Sequence, residues 1–226
     1  MLSEKGIPHK EQTPFPILYK GAQIGFLVTD VIAWDQILLE LKVAPEGLLP
    51  IHTAQILSYL KVTGFELGLL VNFGTADIEI KRVPHFIGER TQQETAPENF
   101  QPNDNLMFPD LTFAVRAALL EVHRELGPGF IHYVYRRATQ IELRERDIAF
   151  EFKKQIPVMF HNQLLQNVDC RLLVVDNCIS VATVALREIT DAHRQKLERY
   201  CHWLGLKMAL LANFYKPSLE IETIRL

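Results

Sequence analysis

The chain has 226 residues, 48% hydrophobic and 23% charged, with a formal net charge of −3. That balance excludes a collagen-like, disordered or disulfide-scaffolded protein, and it gives no overall basic footprint for nucleic acid. Three cysteines without a Cys-x-x-Cys pair, no apolar run of the ~18 residues that a membrane span needs, and no apolar core of a signal peptide in the first residues lead to the expectation of a cytoplasmic protein with no membrane partner.

Taken in order, residues 17–19 and 24–33 read as strands around Lys20-Gly21, and 37–43 as a third strand. Residues 52–60 carry a helical pattern with Gly64 at the C-cap position. Residues 65–72 and 78–83 read as strands. Residues 86–110, rich in Pro, Asn, Gln and acids, read as a linker. Residues 111–126 form a periodic helix stopped by Gly127-Pro128-Gly129, and 131–146 a second one. The order of strands, helix and strands then returns. Fold class is therefore mixed α/β, a sandwich of helices on a mixed sheet.

The return is literal. Sliding the chain by 141 residues aligns 1–85 with 142–226 without a gap, and sixteen of the 85 pairs are identical. Among them are Asp35/Asp176, His52/His193, Tyr59/Tyr200, Gly64/Gly205, Asn72/Asn213 and Glu79/Glu220. This predicts a truncated copy at 1–85, a linker at 86–110 and a full-length copy at 111–226. Their formal charges are −2, −4 and +3.

Chemistry concentrates in one hairpin. If 24–33 and 37–43 pair symmetrically about Asp35, Asp30 lies opposite Glu40, and Lys42 shares Glu40's face. Facing carboxylates are destabilising without a compensating charge, and a hard cation such as Mg2+ supplies one. A solvent-facing charged stripe is the plain alternative. The apolar flanks, Val31, Ile32, Leu38, Leu39 and Leu41, favour a buried sheet instead.

Asp30 followed by Glu40-Leu41-Lys42 on the next strand resembles the signature of the PD-(D/E)XK nuclease superfamily. Further segments are similar to its GxxExxY branch: Pro14–Gly21, His52–Leu60, Gly68–Gly74, Glu121–Gly129, Phe130–Tyr135 and His193–Gly205. The resemblance implies a restriction-endonuclease-like fold in two tandem copies. It implies that Asp30 and Glu40 hold Mg2+ or Mn2+, that Lys42 assists attack of water on a phosphodiester of DNA or RNA, and that Gln55 completes the catalytic set. By the 141-residue offset, Asp30, Glu40, Lys42 and Gln55 map to Arg171, Val181, Thr183 and Lys196, so the second copy reads as degenerate. Its Gly129-x-x-His132-x-x-Tyr135 has His in place of the motif's Glu. The alternative is a catalytically inactive nuclease-fold protein that binds nucleic acid or another protein.

The first copy lacks the two extra helices, so one face of its sheet is expected to be bare. That face would pack on the second copy or on another chain, as in a homodimer. Residues shared by an active and an inactive copy, His52/His193, Tyr59/Tyr200 and Asn72/Asn213, read as structural. Arg136 and Arg137 read as a solvated helix face, with phosphate contact as the alternative.

Overall fold

The computed structural model describes residues 2–85, 107–161 and 163–226. Most of the expected linker, 86–106, lies outside the described residues. The described chain divides into two compact units: residues 2–85 with Leu126–Phe130, and residues 107–125 with 131–226.

The first unit contains β1 (His9–Tyr19), β2 (Ala22–Ala33), β3 (Ile37–Lys42), α1 (Pro50–Thr63), β4 (Leu67–Asn72) and β5 (Glu79–Pro84). They form one five-stranded sheet in the order β1-β2-β3-β4-β5. β3 and β4 are parallel and the other neighbours antiparallel. A parallel pair needs a crossover, and α1 supplies it. Gly64, at φ 74°, ends α1 and donates its N–H to the Leu60 carbonyl. β1 is far longer than its sequence pattern suggests, because Pro14 and Pro16 obscure the alternation. An edge strand tolerates them.

Ile56 and Leu60 on α1 pack with Ile32, Leu38, Leu70 and Val83 of the sheet. Gly68 permits this close approach, since a Cβ there would lie 2.6 Å from Ile56 Cδ1. On the opposite face Val31, Ile37, Leu39, Leu67 and Leu69 are half-buried and Leu41 is exposed. Alternation along each strand divides the two faces.

The second unit adds α2 (Pro109–Leu126, of which Leu126 belongs by its contacts to the first unit) and α3 (His132–Glu145). Then follow β6 (Phe150–Phe160), β7 (Gln163–Val175), β8 (Ile179–Val184), α4 (Asp191–Leu204), β9 (Met208–Asn213) and β10 (Glu220–Arg225). The sheet order is β6-β7-β8-β9-β10, with β8 and β9 parallel. α4 packs on one face through Leu197, Tyr200 and Cys201 against Leu172, Val174, Ala182 and Leu211. In the helical pair, the Tyr135 ring of α3 stacks on Phe214 at 4.3 Å between centroids, and His123 of α2 reaches the Lys216 carbonyl at 3.1 Å.

The repeat is visible in the elements themselves. The bounds of β1, α1, β4 and β5 plus 141 are those of β6, α4, β9 and β10. β3 and β8 differ by 142 instead. Lys42 pairs with Asn72, whereas Val184 pairs with Asn213. The extra residue enters β7 at a bulge, where Cys170 and Arg171 face the single residue Lys154 between the pairs Gln155↔Asp169 and Lys153↔Leu172. Arg171 takes φ 53° there. The extra residue persists into the next loop, where Asn72 Oδ1 accepts the N–H of Ala44 and Asn213 Oδ1 that of Leu186, and it is given back before α4, which keeps the 141 offset from α1.

The gapless register is thus wrong by one residue over this stretch. Asp30, Glu40 and Lys42 correspond to Leu172, Ala182 and Val184, not to Arg171, Val181 and Thr183. Gln55 still corresponds to Lys196, because α1 and α4 keep the 141 offset.

Candidate active site

Asp30 sits where the ladders of β2 break. The β1–β2 register runs from Glu11↔Val31 to Thr13↔Thr29 and skips the position between, where Gln12 has φ 45°. The β2–β3 ladder stops at Val31↔Leu39. The turn about Asp35 is present, with Trp34 and Asp35 at φ 52° and 54° and Gln36 N–H donating to the Ala33 carbonyl. The expected Asp30–Glu40 rung is not formed. β3 keeps its full parallel ladder with β4 and leaves β2. The Leu41 N–H then needs another acceptor, and Asp30 Oδ2 accepts it at 2.8 Å.

Glu40 points the other way, toward α1, and is 5% exposed. Lys42 Nζ donates to Glu40 Oε1 at 2.8 Å and to Gln55 Oε1 at 3.0 Å. Gln55 Nε2 donates to Glu40 Oε1 at 3.1 Å and to the Tyr59 hydroxyl at 2.8 Å. Glu40, Lys42 and Gln55 therefore close a triangle. The Tyr59 hydroxyl donates onward to the Gly129 carbonyl at 3.2 Å, and its ring lies against Phe130. Gln55 and Tyr59 meet because they are one turn apart on α1.

Burial pushes the Glu40 carboxyl above its ordinary value. The hydrogen bond and charge of Lys42 oppose that, and the charge of Asp30 adds to it. Tyr59 is pushed up to about 12, by burial first and then by the charge of Glu40. It stays a neutral donor at any physiological pH.

Asp30, Glu40, Lys42 and Gln55 are thus brought to one place as the sequence suggested. Tyr59 was missed, having been read as structural because Tyr200 matches it. Their hydroxyls do different things: Tyr200 donates to the Asp169 carbonyl at 2.9 Å. The available signal was the Gln55–Tyr59 spacing. His52 and His193 close the N-terminal ends of their helices. Each Nδ1 accepts the N–H of the residue just before its helix, Leu49 or Thr190, at 3.1 Å. Asn72 and Asn213 each bridge the backbone of a loop, at Ala44 and Leu186.

The donors suit a hard cation. Asp30 Oδ1 and Glu40 Oε2 carry no hydrogen bond among the described residues, and Mg2+ is commonly held by one or two carboxylates, with water and phosphate completing the shell. No group of three or more His, Cys, Asp or Glu able to hold a metal occurs among the described residues. At the corresponding positions the described residues of the second unit offer no such pair. Leu172, Ala182 and Val184 take the three sheet positions, and Lys196 Nζ lies over the Tyr200 ring. Burial lowers the pKa of His132, helped by the charges of Arg136 and Arg171, and a neutral imidazole is a poor Mg2+ ligand.

No helix of the described residues is long and apolar enough to cross a membrane. No curated protein and no solved structure matches the chain. A family model described as the PD-(D/E)XK nuclease superfamily matches residues 1–83 and 109–226. One matched stretch covers the unit with the Asp-Glu-x-Lys cluster and the other covers the unit without it, and the chain as a whole belongs to the PD-(D/E)XK nuclease superfamily.

Proposed function

We propose that the protein is a metal-dependent phosphodiesterase of DNA or RNA with one active site, in the first unit. The observation that carries this reading is the Lys42 ammonium, held between Glu40 and Gln55 on the strand beside Asp30. Asp30 and Glu40 would hold Mg2+ or Mn2+, which when bound supplies Lewis-acid polarisation of a phosphoryl oxygen. Lys42 orients the attacking water and stabilises the charge developing on the phosphate. Gln55 fixes the direction of the Lys42 ammonium, and Tyr59 fixes Gln55. Gly129 and Tyr135 support the GxxExxY branch, with His132 at the Glu position. The half-exposed stripe of Val31, Leu39 and Leu69 supports a homodimer in which a partner covers it.

The test is cleavage of labelled single- and double-stranded DNA and RNA by the full chain with Mg2+ or Mn2+. Expected is cleavage that EDTA stops and that Glu40→Gln and Lys42→Ala each reduce by at least about 100-fold. Cleavage unchanged by Lys42→Ala refutes the site. No cleavage of any substrate leaves the second reading, an inactive nuclease-fold binding module, which the apolar replacement of all three sheet positions in the second unit favours.

A further inference from the structure

In the first unit a short length of chain, Leu126–Phe130, covers one stripe of α1. A Cβ on Gly127 would lie 2.5 Å from Ser58 Oγ, and one on Gly129 2.7 Å from Gln55 Cγ. The Gly129 carbonyl accepts the Tyr59 hydroxyl, and the Phe130 ring lies 5.9 Å from that of Tyr59. Leu126 and Phe130 are each 6% exposed. Gln55, Ser58 and Tyr59 stand three and four residues apart, so they form one face of the helix.

The constant offset between α1 and α4 makes Lys196, Arg199 and Tyr200 the equivalent stripe of the second unit. There the stripe is open. All three residues line a groove of about 500 Å³, together with Val168, Ala192 and Trp203. Two neutral side chains, Gln55 and Ser58, have become two cations. Neither Lys196 nor Arg199 has a carboxylate partner among the described residues, and the Lys196 ammonium lies 5.8 Å from the centre of the Tyr200 ring. Asp169, the acid in the groove wall, is occupied by Gln155 at 2.9 Å and Arg171 at 3.3 Å. Val62 of the first unit has become Trp203, whose ring is 6.0 Å from that of Tyr200 and which is 37% exposed.

An aromatic anchor with charges at its rim is the composition of a protein-docking surface. The unpaired cations select an acid, and the aromatic pair selects an apolar side chain. Leu126–Phe130 contains no acid and is already seated in the first unit, so the same segment of a second copy does not supply the occupant.

We propose that the α4 groove docks an acidic segment of a partner protein, with carboxylates on Lys196 and Arg199 and an aromatic or leucine side chain against Trp203. The segment runs against α4 as Leu126–Phe130 runs against α1. The proposal does not draw on cleavage by the first unit.

The test is fluorescence anisotropy of the full chain with a labelled peptide of about nine residues, Leu-Gly-Pro-Gly-Phe flanked on each side by two glutamates. Expected is saturable binding that weakens as salt is added. Lys196→Glu combined with Arg199→Glu should weaken it at least about tenfold, and Trp203→Ala at least about fivefold. All three positions are exposed, so circular dichroism of the variants should match the wild type. The proposal is overturned if the peptide does not bind, if a version with lysines for glutamates binds equally, or if the variants keep wild-type affinity. An oligothymidylate that binds with the same dependence on Lys196, Arg199 and Trp203 also overturns it, as does a dimer of the chain alone that Trp203→Ala dissociates.

Discussion

Replacing Lys42 by Met tests the electrostatics of the site without a substrate. Met keeps most of the apolar stem and removes the ammonium, so Glu40, whose side chain is 7% exposed, loses its counter-charge. Breaking a buried pair from one side costs about 3–5 kcal/mol. Gln55 still donates to Glu40 Oε1, which places the cost near the lower end, about 3 kcal/mol. The cost depends on pH with a definite sign. The Glu40 carboxyl already lies above its ordinary value of 4.5 in the folded chain, and losing Lys42 raises it further. Its ionised form is a liability in the fold that is absent below about pH 4.5 and complete above the raised folded pKa. The deficit of Lys42→Met should therefore grow as pH rises through that window. Urea unfolding of the full chain, followed by circular dichroism, should show a midpoint lowered by about 1.5 M near pH 7.5, for a slope near 2 kcal/mol per M. Near pH 4.5 the difference should largely vanish. The double variant Glu40→Gln with Lys42→Met should regain most of the loss. A deficit below about 1 kcal/mol at neutral pH, or one equal at both pH values, would refute the reading of Glu40 as a buried charge stabilised by Lys42.

Asn213→Ala should cost about 2–3 kcal/mol in urea unfolding, because it leaves the Leu186 and Tyr215 N–H groups without their acceptor beside a fully buried position; a loss under about 0.5 kcal/mol would show that solvent replaces those bonds. Gly129→Ala should disturb the candidate site without touching a carboxylate. Gly129 has φ 109°, and an added Cβ would lie 2.7 Å from Gln55 Cγ, so lower metal-dependent cleavage at nearly unchanged circular dichroism is expected, and unaltered cleavage would exclude a role for Gln55 in holding Lys42.

The Asp30, Glu40 and Lys42 cluster was legible because its parts are close in sequence. Asp30, Glu40 and Lys42 belong to one hairpin, and strand alternation alone sets their faces. The missing rung was not legible, since it depends on β3 following β4, a contact with residues far along the chain. The helix ends at Gly64 and Gly205 were legible from the residue type that a left-handed C-cap requires. The equivalences in the second copy went wrong for a different reason. An inserted residue at Arg171 is cancelled before α4, so both flanks align without a gap. The identities Asp35/Asp176, Val43/Val184 and Ala44/Ala185 then tie residues that are not structurally equivalent, and Val184 in fact stands where Lys42 does. Identity counting cannot detect a slip that is returned within one loop. Tyr59 shows the related limit, that a shared side chain need not share a partner.

The prolines of the edge strands bear on how such a chain avoids misassembly. Pro16 in β1 and Pro157 in β6 occupy matching rungs, opposite Phe26 and Asn167. Two sheets of the same strand order in one polypeptide present interchangeable edges while they form, and tandem repeats are prone to exchanging strands. A residue without an N–H interrupts the row of donors that a foreign strand would read. Both units carry this interruption, including the one without the Asp-Glu-x-Lys cluster. It guards the partition of one chain into two separately paired sheets, a requirement that is the same for both units whatever chemistry each carries.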